Sequence, residues 1–212
     1  MWRIVRAVDR TIAFSGIRAM EYGARWNSPR LPAVYVASHL SLAALELLAN
    51  ATFDTLPSDY IAIELEIPSD LAIERVDVPA LPSGWQEPDH PACAACGDSW
   101  LRRGRTVVFD VPSAVLPVER NFVLNPAHPD FSRIRTDVRE LPFRFDSRII
   151  GLIGTGNLKL FAMVAVYGPS AVIRNIKGSS TGSAAQGGDG RSRRYAWTHV
   201  FRASPERVDR AG

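Results

Sequence analysis

Residues 33–50 read AVYVASHLSLAALELLAN, and this stretch decides the fold class. AVYVAS (33–38) is short, β-branched and aromatic, which predicts a strand. The Ala- and Leu-rich run that follows, to Asn50, predicts a helix with Ser38 as its N-cap. A strand running directly into a helix implies mixed α and β structure. Further along, YIAIELEIP (60–68) alternates, with Ile61, Ile63, Leu65 and Ile67 on one side and Ala62, Glu64 and Glu66 on the other. That is the period of a half-buried strand, stopped by Pro68. AIERVDV (72–78) and RTVVFDVP (105–112) add two more strands, and FVLNP (122–126) and FRFDSRII (143–150) are expected to close the sheet. Between them, residues 79–98 are rich in Pro and Gly and read as a long loop leading to a short helix around Trp100. The expected architecture is α+β, a mixed sheet with flanking helices.

Charge divides the chain. Residues 1–150 contain 16 Arg, no Lys and 19 Asp or Glu, a net −3; residues 151–212 contain 9 basic and 3 acidic residues, a net +6. The basic pI of about 9.1 therefore belongs to the tail, and the body offers no electrostatic case for nucleic-acid binding. The tail includes GSSTGSAAQGGDGRSRR (178–194), too polar and Gly-rich to offset its ordering entropy, and is expected to be mostly irregular. This divides the chain into a body, 1–150, and a basic tail, 151–212, outside the functional domain. The longest apolar stretch, Leu158 to Ile173, is broken by Tyr167, Gly168, Pro169 and Ser170 and is too short to span a membrane. No signal-peptide core follows the charged N-terminus, and Cys93 and Cys96 are too few for a disulfide scaffold. A cytoplasmic location is expected.

Three polar residues stand out from their surroundings. Glu46 is the sole Asp, Glu, Lys or Arg between Arg30 and Asp54, and on a helix it shares a face with Leu42, Leu45 and Ala49. It either turns to solvent or is buried for a purpose. Arg25, in GARWN (23–27), either makes a surface ion pair or grips a diphosphate with its two-pronged guanidinium. Ser113, in VPSAV (111–115), is either a turn or cap hydroxyl or part of a site. It lacks the G-x-S-x-G elbow of a hydrolase nucleophile. His90, Cys93 and Cys96 form H-x-x-C-x-x-C, but no fourth zinc ligand lies nearby unless Asp98 serves, so no metal is expected. No thioredoxin-like frame surrounds the pair, and His128 reads as structural.

Taken together, GARWNSPRLPAVYVASHLSLAALELL (23–48), GDSW (97–100), VPSAVLPVERNFVLNPAHPDF (111–131) and PFRFDSRII (142–150) resemble the RES domain family. The family is named for an Arg, a Glu and a Ser, which fall on Arg25, Glu46 and Ser113; its strand aromatic falls on Tyr35. The resemblance runs from about Trp2 to Ile150. Two departures are visible: Ala24 replaces the second glycine of the usual GGRW, and Arg30 replaces the glycine usual after NSP, a bulky charge expected near the site mouth.

The resemblance implies a fold similar to ADP-ribosyltransferase toxins and an enzyme of toxin–antitoxin systems that breaks the nicotinamide–ribose bond of NAD⁺. NAD⁺ is then substrate, with inorganic phosphate a possible co-substrate and no prosthetic group. Glu46 would stabilise the developing ribosyl cation, Arg25 and Ser113 would grip the pyrophosphate, and Tyr35 and Trp26 would offer ring faces. Water or a protein side chain are alternative acceptors, the latter making the chain a mono-ADP-ribosyltransferase; an inactive NAD⁺- or partner-binding module is the third reading. The implied partners are a helix-turn-helix (Xre-type) antitoxin blocking the entrance and a second copy of the chain, with no direct contact to nucleic acid or membrane.

Overall fold

A computed structural model describes residues 1–50, 59–88 and 90–154. Seven strands form one mixed sheet: β1 (Trp2–Arg6), β2 (Val34–Ala37), β3 (Tyr60–Glu66), β4 (Ile73–Arg75), β5 (Val108–Pro112), β6 (Arg120–Leu124) and β7 (Arg135–Phe143). Their spatial order is β4-β5-β6-β2-β1-β3-β7. Every pairing is antiparallel except β4 with β5. Four helices accompany it: α1 (Ile17–Tyr22), α2 (Leu40–Asn50), α3 (Pro91–Arg103) and α4 (Ser147–Gly154). The α+β expectation holds.

Cross-strand partners share a face, so the register sorts the core. On one face Ile4, Ala37, Tyr60 and Ala62 pack under Leu42, Ala43 and Leu47 of α2. On the same face Tyr35, Phe109, Val111 and Val123 pack with Cys93, Trp100 and Leu101 of α3 and with Trp26 and Trp85. Helices α2 and α3 thus cover neighbouring halves of one sheet face. The other face carries Val34, Val36, Val108, Phe122 and Leu124 beneath Leu71 and Ile134, and Val5 and Ile63 beneath Ala13.

The local readings of 33–50 and 60–68 survive in outline and change in detail. Ser38 lies one position ahead of the cap: the first helical carbonyl partner is His39 O, which accepts from Ala43 N, while Ser38 Oγ meets His39 Nδ1 at 2.9 Å. Strand β3 is covered on both faces at its start, because Ala62 is buried under α2 while Ile63 is buried on the reverse side. The helix around Trp100 is longer than expected and begins at Pro91, in N-terminal position where its missing N–H costs nothing. FRFDSRII does not close the sheet: Phe143 ends β7, and Ser147 opens α4. The edge beside β3 is filled by β7, whose Arg135 and Arg139 pair with Glu66 and Glu64 of β3. Central strand β1 had no counterpart in the sequence reading. Among the described residues no helix is long and apolar enough to cross a membrane. The tail and its apolar stretch lie outside the described residues beyond 154, and α4 runs across position 150.

Candidate active site

Glu46 projects from α2 toward the covered face of the sheet and is only 7% exposed. Two donors converge on one of its oxygens: Ser113 Oγ donates to Oε1 at 2.7 Å and Asn121 Nδ2 donates to the same atom at 2.5 Å. The solvent-facing alternative for Glu46 is therefore excluded. Burial pushes its carboxyl above the usual carboxylate range; the Ser113 and Asn121 hydrogen bonds and the positive charge of Arg25 pull the other way. Such a group is held at a cost, and buried ionisable groups of this kind cluster at functional sites.

Ser113 makes the turn bonds of its first alternative and also reaches Glu46. Its hydroxyl accepts from the N–H groups of Val115 and Leu116, at 3.1 and 3.0 Å, as a turn residue does, and donates its own proton to Glu46. The turn fixes the rotor so that its proton has one direction to go. Strand β5 ends immediately before it, at Pro112, and Ser113 N donates to Glu119 O across the loop.

Arg25 sits on a loop built with unusual care. Helix α3 approaches that loop so closely that a Cβ on Gly97 would stand 1.9 Å from Trp26 O. Asp98, next in sequence, accepts from Ser28 N at 2.7 Å. Asn27 donates to the carbonyls of Ala19, Ser28 and Leu31, while Tyr35 Oη donates to Asn27 Oδ1 at 2.7 Å and accepts from Trp26 N at 3.2 Å. Within this frame Arg25 Nη1 donates to the carbonyls of Trp85 and Glu87, both at 2.9 Å. Both Nη1 protons are thus committed to main chain, and the Nε–Nη2 edge carries the remaining donors in the geometry that matches an oxyanion. Among the described residues Arg25 makes no ion pair. Its charge bears on Glu46 and on the Cys93 thiol, the latter raised chiefly by burial.

Trp26 and Tyr35 lie in the core. The Trp26 ring is 6.3 Å from Trp85 and 6.1 Å, edge-on, from Phe109. Burial holds the Tyr35 phenol well above its ordinary range, its hydroxyl engaged on both sides of the Arg25 loop. Tyr35 and Ala37 do line a narrow pocket between β1, β2 and α2 whose charged and amide residues are Arg3, Glu46 and Asn121.

The CxxC run is a helix start. His90 Nδ1 accepts from Ala92 N at 3.3 Å as the cap of α3, Cys93 is buried against Trp85 O, and Asp98 is committed to Ser28. Both thiols are free. Among the described residues no group of three His, Cys, Asp or Glu is disposed to hold a metal ion. His128 likewise caps a short 3-10 turn, accepting from Asp130 N. Arg30, exposed, occupies the left-handed region at φ 77°, a conformation in which glycine is unstrained.

Two residues of functional interest escaped the sequence reading. Asn121 is the second residue of β6 and faces Glu46; an amide side chain inside a run of strand-forming residues was its only signal. Arg3, in the middle of β1, is buried and donates to Tyr35 O at 2.6 Å. Burial lowers its guanidinium to about 10 against the opposing pull of Asp9. It lies on the face of Ile63, opposite Glu46, and braces β2 from behind.

The family model for the RES domain matches residues 1–146. Among similar proteins, a "Toxin Res" of Photorhabdus laumondii subsp. laumondii is 36% identical over 151 residues, 71% of this chain and 96% of the relative. A "Prs ADP-ribosylating toxin" of Sphingobium sp. (strain YBL2) is 37% identical over 155 residues, 70% of this chain and 95% of the relative. A crystal structure of the M. tuberculosis MbcT–MbcA toxin–antitoxin complex contains a chain with the same fold: TM-score 0.56, 18% identity, covering 73% of this chain and 87% of that one.

Proposed function

The chain belongs to the RES domain family, and from that membership we propose that it is the toxin of a toxin–antitoxin pair and degrades NAD⁺ by cleaving the nicotinamide–ribose bond. The observation that carries the reading is the Glu46 carboxylate, buried and aimed by Ser113 and Asn121 within reach of the Arg25 charge. When the C1–nitrogen bond breaks, its electron pair leaves with nicotinamide, which departs neutral and needs no strong general acid. Positive charge develops on the ribosyl ring. A carboxylate already desolvated and fixed stabilises that charge without reorganising. An oxygen of inorganic phosphate or of water then adds to C1, water releasing a proton. Arg25 presents its Nε–Nη2 edge to the pyrophosphate. Ser113 contributes through Glu46, and Tyr35 and Trp26 position Arg25 from the core. The catalytic unit is residues 1–150, with 151–212 outside it, and the cofactor requirement ends with NAD⁺ as substrate. An Xre-type helix-turn-helix antitoxin and a second copy of the chain are the partners we assign.

The relative named for ADP-ribosylation favours a second reading, in which the ADP-ribosyl group passes to a side chain of a host protein. Mass spectrometry of NAD⁺, nicotinamide and ADP-ribosylated products, from purified protein and from expressing cells, tests both. Wild type is expected to consume NAD⁺, and the product (ADP-ribose 1-phosphate, ADP-ribose or a protein adduct) identifies the acceptor. Glu46→Gln and Arg25→Lys are each expected to lower turnover roughly 10²–10³-fold, the loss typical of removing one preorganised electrostatic contact. Wild-type turnover by Glu46→Gln, or no NAD⁺ loss and no adduct with wild type, refutes the assignment.

A further inference from the structure

Asn121 divides its amide between two tasks, and only one of them is filled by protein. Its Nδ2 donates to Glu46 Oε1. Its Oδ1 is sealed from solvent and has no hydrogen-bond partner among the described residues. The residue is only 6% exposed and lines the narrow pocket alongside Glu46. Buried carbonyl oxygens are almost always paired, so one left without a donor in a pocket wall is an acceptor awaiting a ligand. The orientation is not arbitrary: turning the amide over would set Oδ1 against the Glu46 carboxylate, two acceptors face to face.

The neighbouring carboxylate defines what that ligand carries. Both protein donors converge on Oε1, which leaves Oε2 with the remaining acceptor capacity of Glu46. Oε2 and Asn121 Oδ1 are therefore two acceptors on residues that line the same pocket. Adjacent acceptors beside an anion select adjacent hydroxyls. Resting on the NAD⁺ reading above, we propose that Asn121 is a specificity-determining residue that accepts one hydroxyl of the ribosyl vicinal diol while Glu46 accepts the other.

The two halves of the amide can be separated by mutation. Asn121→Ala removes donor and acceptor; Asn121→Asp keeps an acceptor but replaces the donor with a charge facing Glu46. Each is assayed for kcat and KM with NAD⁺ and with analogues lacking the 2′- or the 3′-hydroxyl of the nicotinamide ribose, with thermal melting as the control for folding. Wild type is expected to discriminate against the two analogues by about 10- to 100-fold in kcat/KM, the range for leaving one buried acceptor unpaired. In Asn121→Ala discrimination against one analogue collapses to within about threefold, while the other analogue is still rejected. Asn121→Asp loses kcat yet retains discrimination against both. A purely structural Asn121 would lower turnover equally for all three substrates and leave the ratios untouched, which overturns the proposal. So does wild type that turns over NAD⁺ and both analogues alike. Wild type inert toward NAD⁺ itself overturns the parent reading first and this one with it. That outcome is distinct from active wild type with unchanged ratios in Asn121→Ala.

Discussion

Gly97→Ala adds a single methyl group and is expected to damage both stability and turnover, because of where that methyl must go. An added Cβ would lie 1.9 Å from Trp26 O, 2.8 Å from its carbonyl carbon and 3.2 Å from its Cα. Ordinary contact begins near 3.4 Å, so α3 and the Trp26 backbone must part by the difference, about 1.5 Å. Neither side is a flexible tip. The loop is held by Tyr35 Oη, by the three bonds from Asn27 Nδ2 and by Asp98. Overpacking of this kind costs ~1–3 kcal/mol. Pulling Asp98 from Ser28 N forfeits a charge-assisted hydrogen bond worth ~1.5–3 kcal/mol. Alanine in a helix returns only ~1 kcal/mol. The net is about 3 kcal/mol, which for a domain near 150 residues lowers Tm by roughly 6–12 °C. Arg25 directly precedes Trp26, and a misplacement on the order of 1 Å costs about 10²-fold in turnover. Paired thermal melts and NAD⁺ assays check both numbers. Ser99→Ala, exposed on the same helix, is the control for helix propensity. A Gly97→Ala protein that melts within about 2 °C of wild type and turns over normally would refute the idea that α3 sets the Arg25 loop.

Two further outcomes follow from the same geometry. Burial is the largest influence on Glu46 and raises its carboxyl in the fold. The folded protein therefore holds that proton more tightly than the unfolded chain, and the associated stability is full at acid pH and lost as pH rises through the folded value. Glu46→Gln should accordingly gain Tm relative to wild type between pH 4 and 8; a difference that stays flat or shrinks toward pH 8 counts against the buried, ionisable carboxylate. Arg30 stands at φ 77°, where leaving the left-handed penalty behind is worth ~1–2 kcal/mol and the extra freedom of unfolded glycine takes back ~0.5–1. Arg30→Gly should raise Tm by a few degrees, and a fall would mean the arginine side chain makes a compensating contact.

The legible part of the fold was the part whose residue types repeat along the strand. VYVA is buried at every position, and YIAIELE alternates, so each announces a strand. WRIVR and RTDVRELPF do not. In β1 an arginine occupies a central strand position because Arg3 finds Tyr35 O on the next strand, a partner 32 residues away that no local pattern contains. In β7 polar residues occur on both faces because it is an edge, and its charges are answered by Glu64 and Glu66 of β3. Helix α3 was underestimated for a related reason: Gly97 weakens the helical signal locally, yet it is there because Trp26 O leaves no room for a side chain.

Isolation was the cue for the site, and it reaches only as far as residues that are isolated. Glu46, a lone charge in an apolar helix, was legible as buried or exposed, and the hydrogen bonds from Ser113 and Asn121 decide the question. Ser113 was legible as a turn residue, and its two accepted backbone bonds are what orient the proton it donates to Glu46. Asn121 was hidden because an asparagine beside Arg120 and before Phe-Val-Leu looks like the polar end of a strand. Its meaning arises only when β6 pairs with β2 and sets Asn121 opposite Ala37, in the wall of the space that Glu46 also lines from α2. The spacing of Arg25, Glu46 and Ser113 along the chain says nothing of that space. It is made by the register of two strands and the packing of one helix over them, so the substrate-facing acceptor of Asn121 is a property of the sheet, readable only after the sheet is assembled.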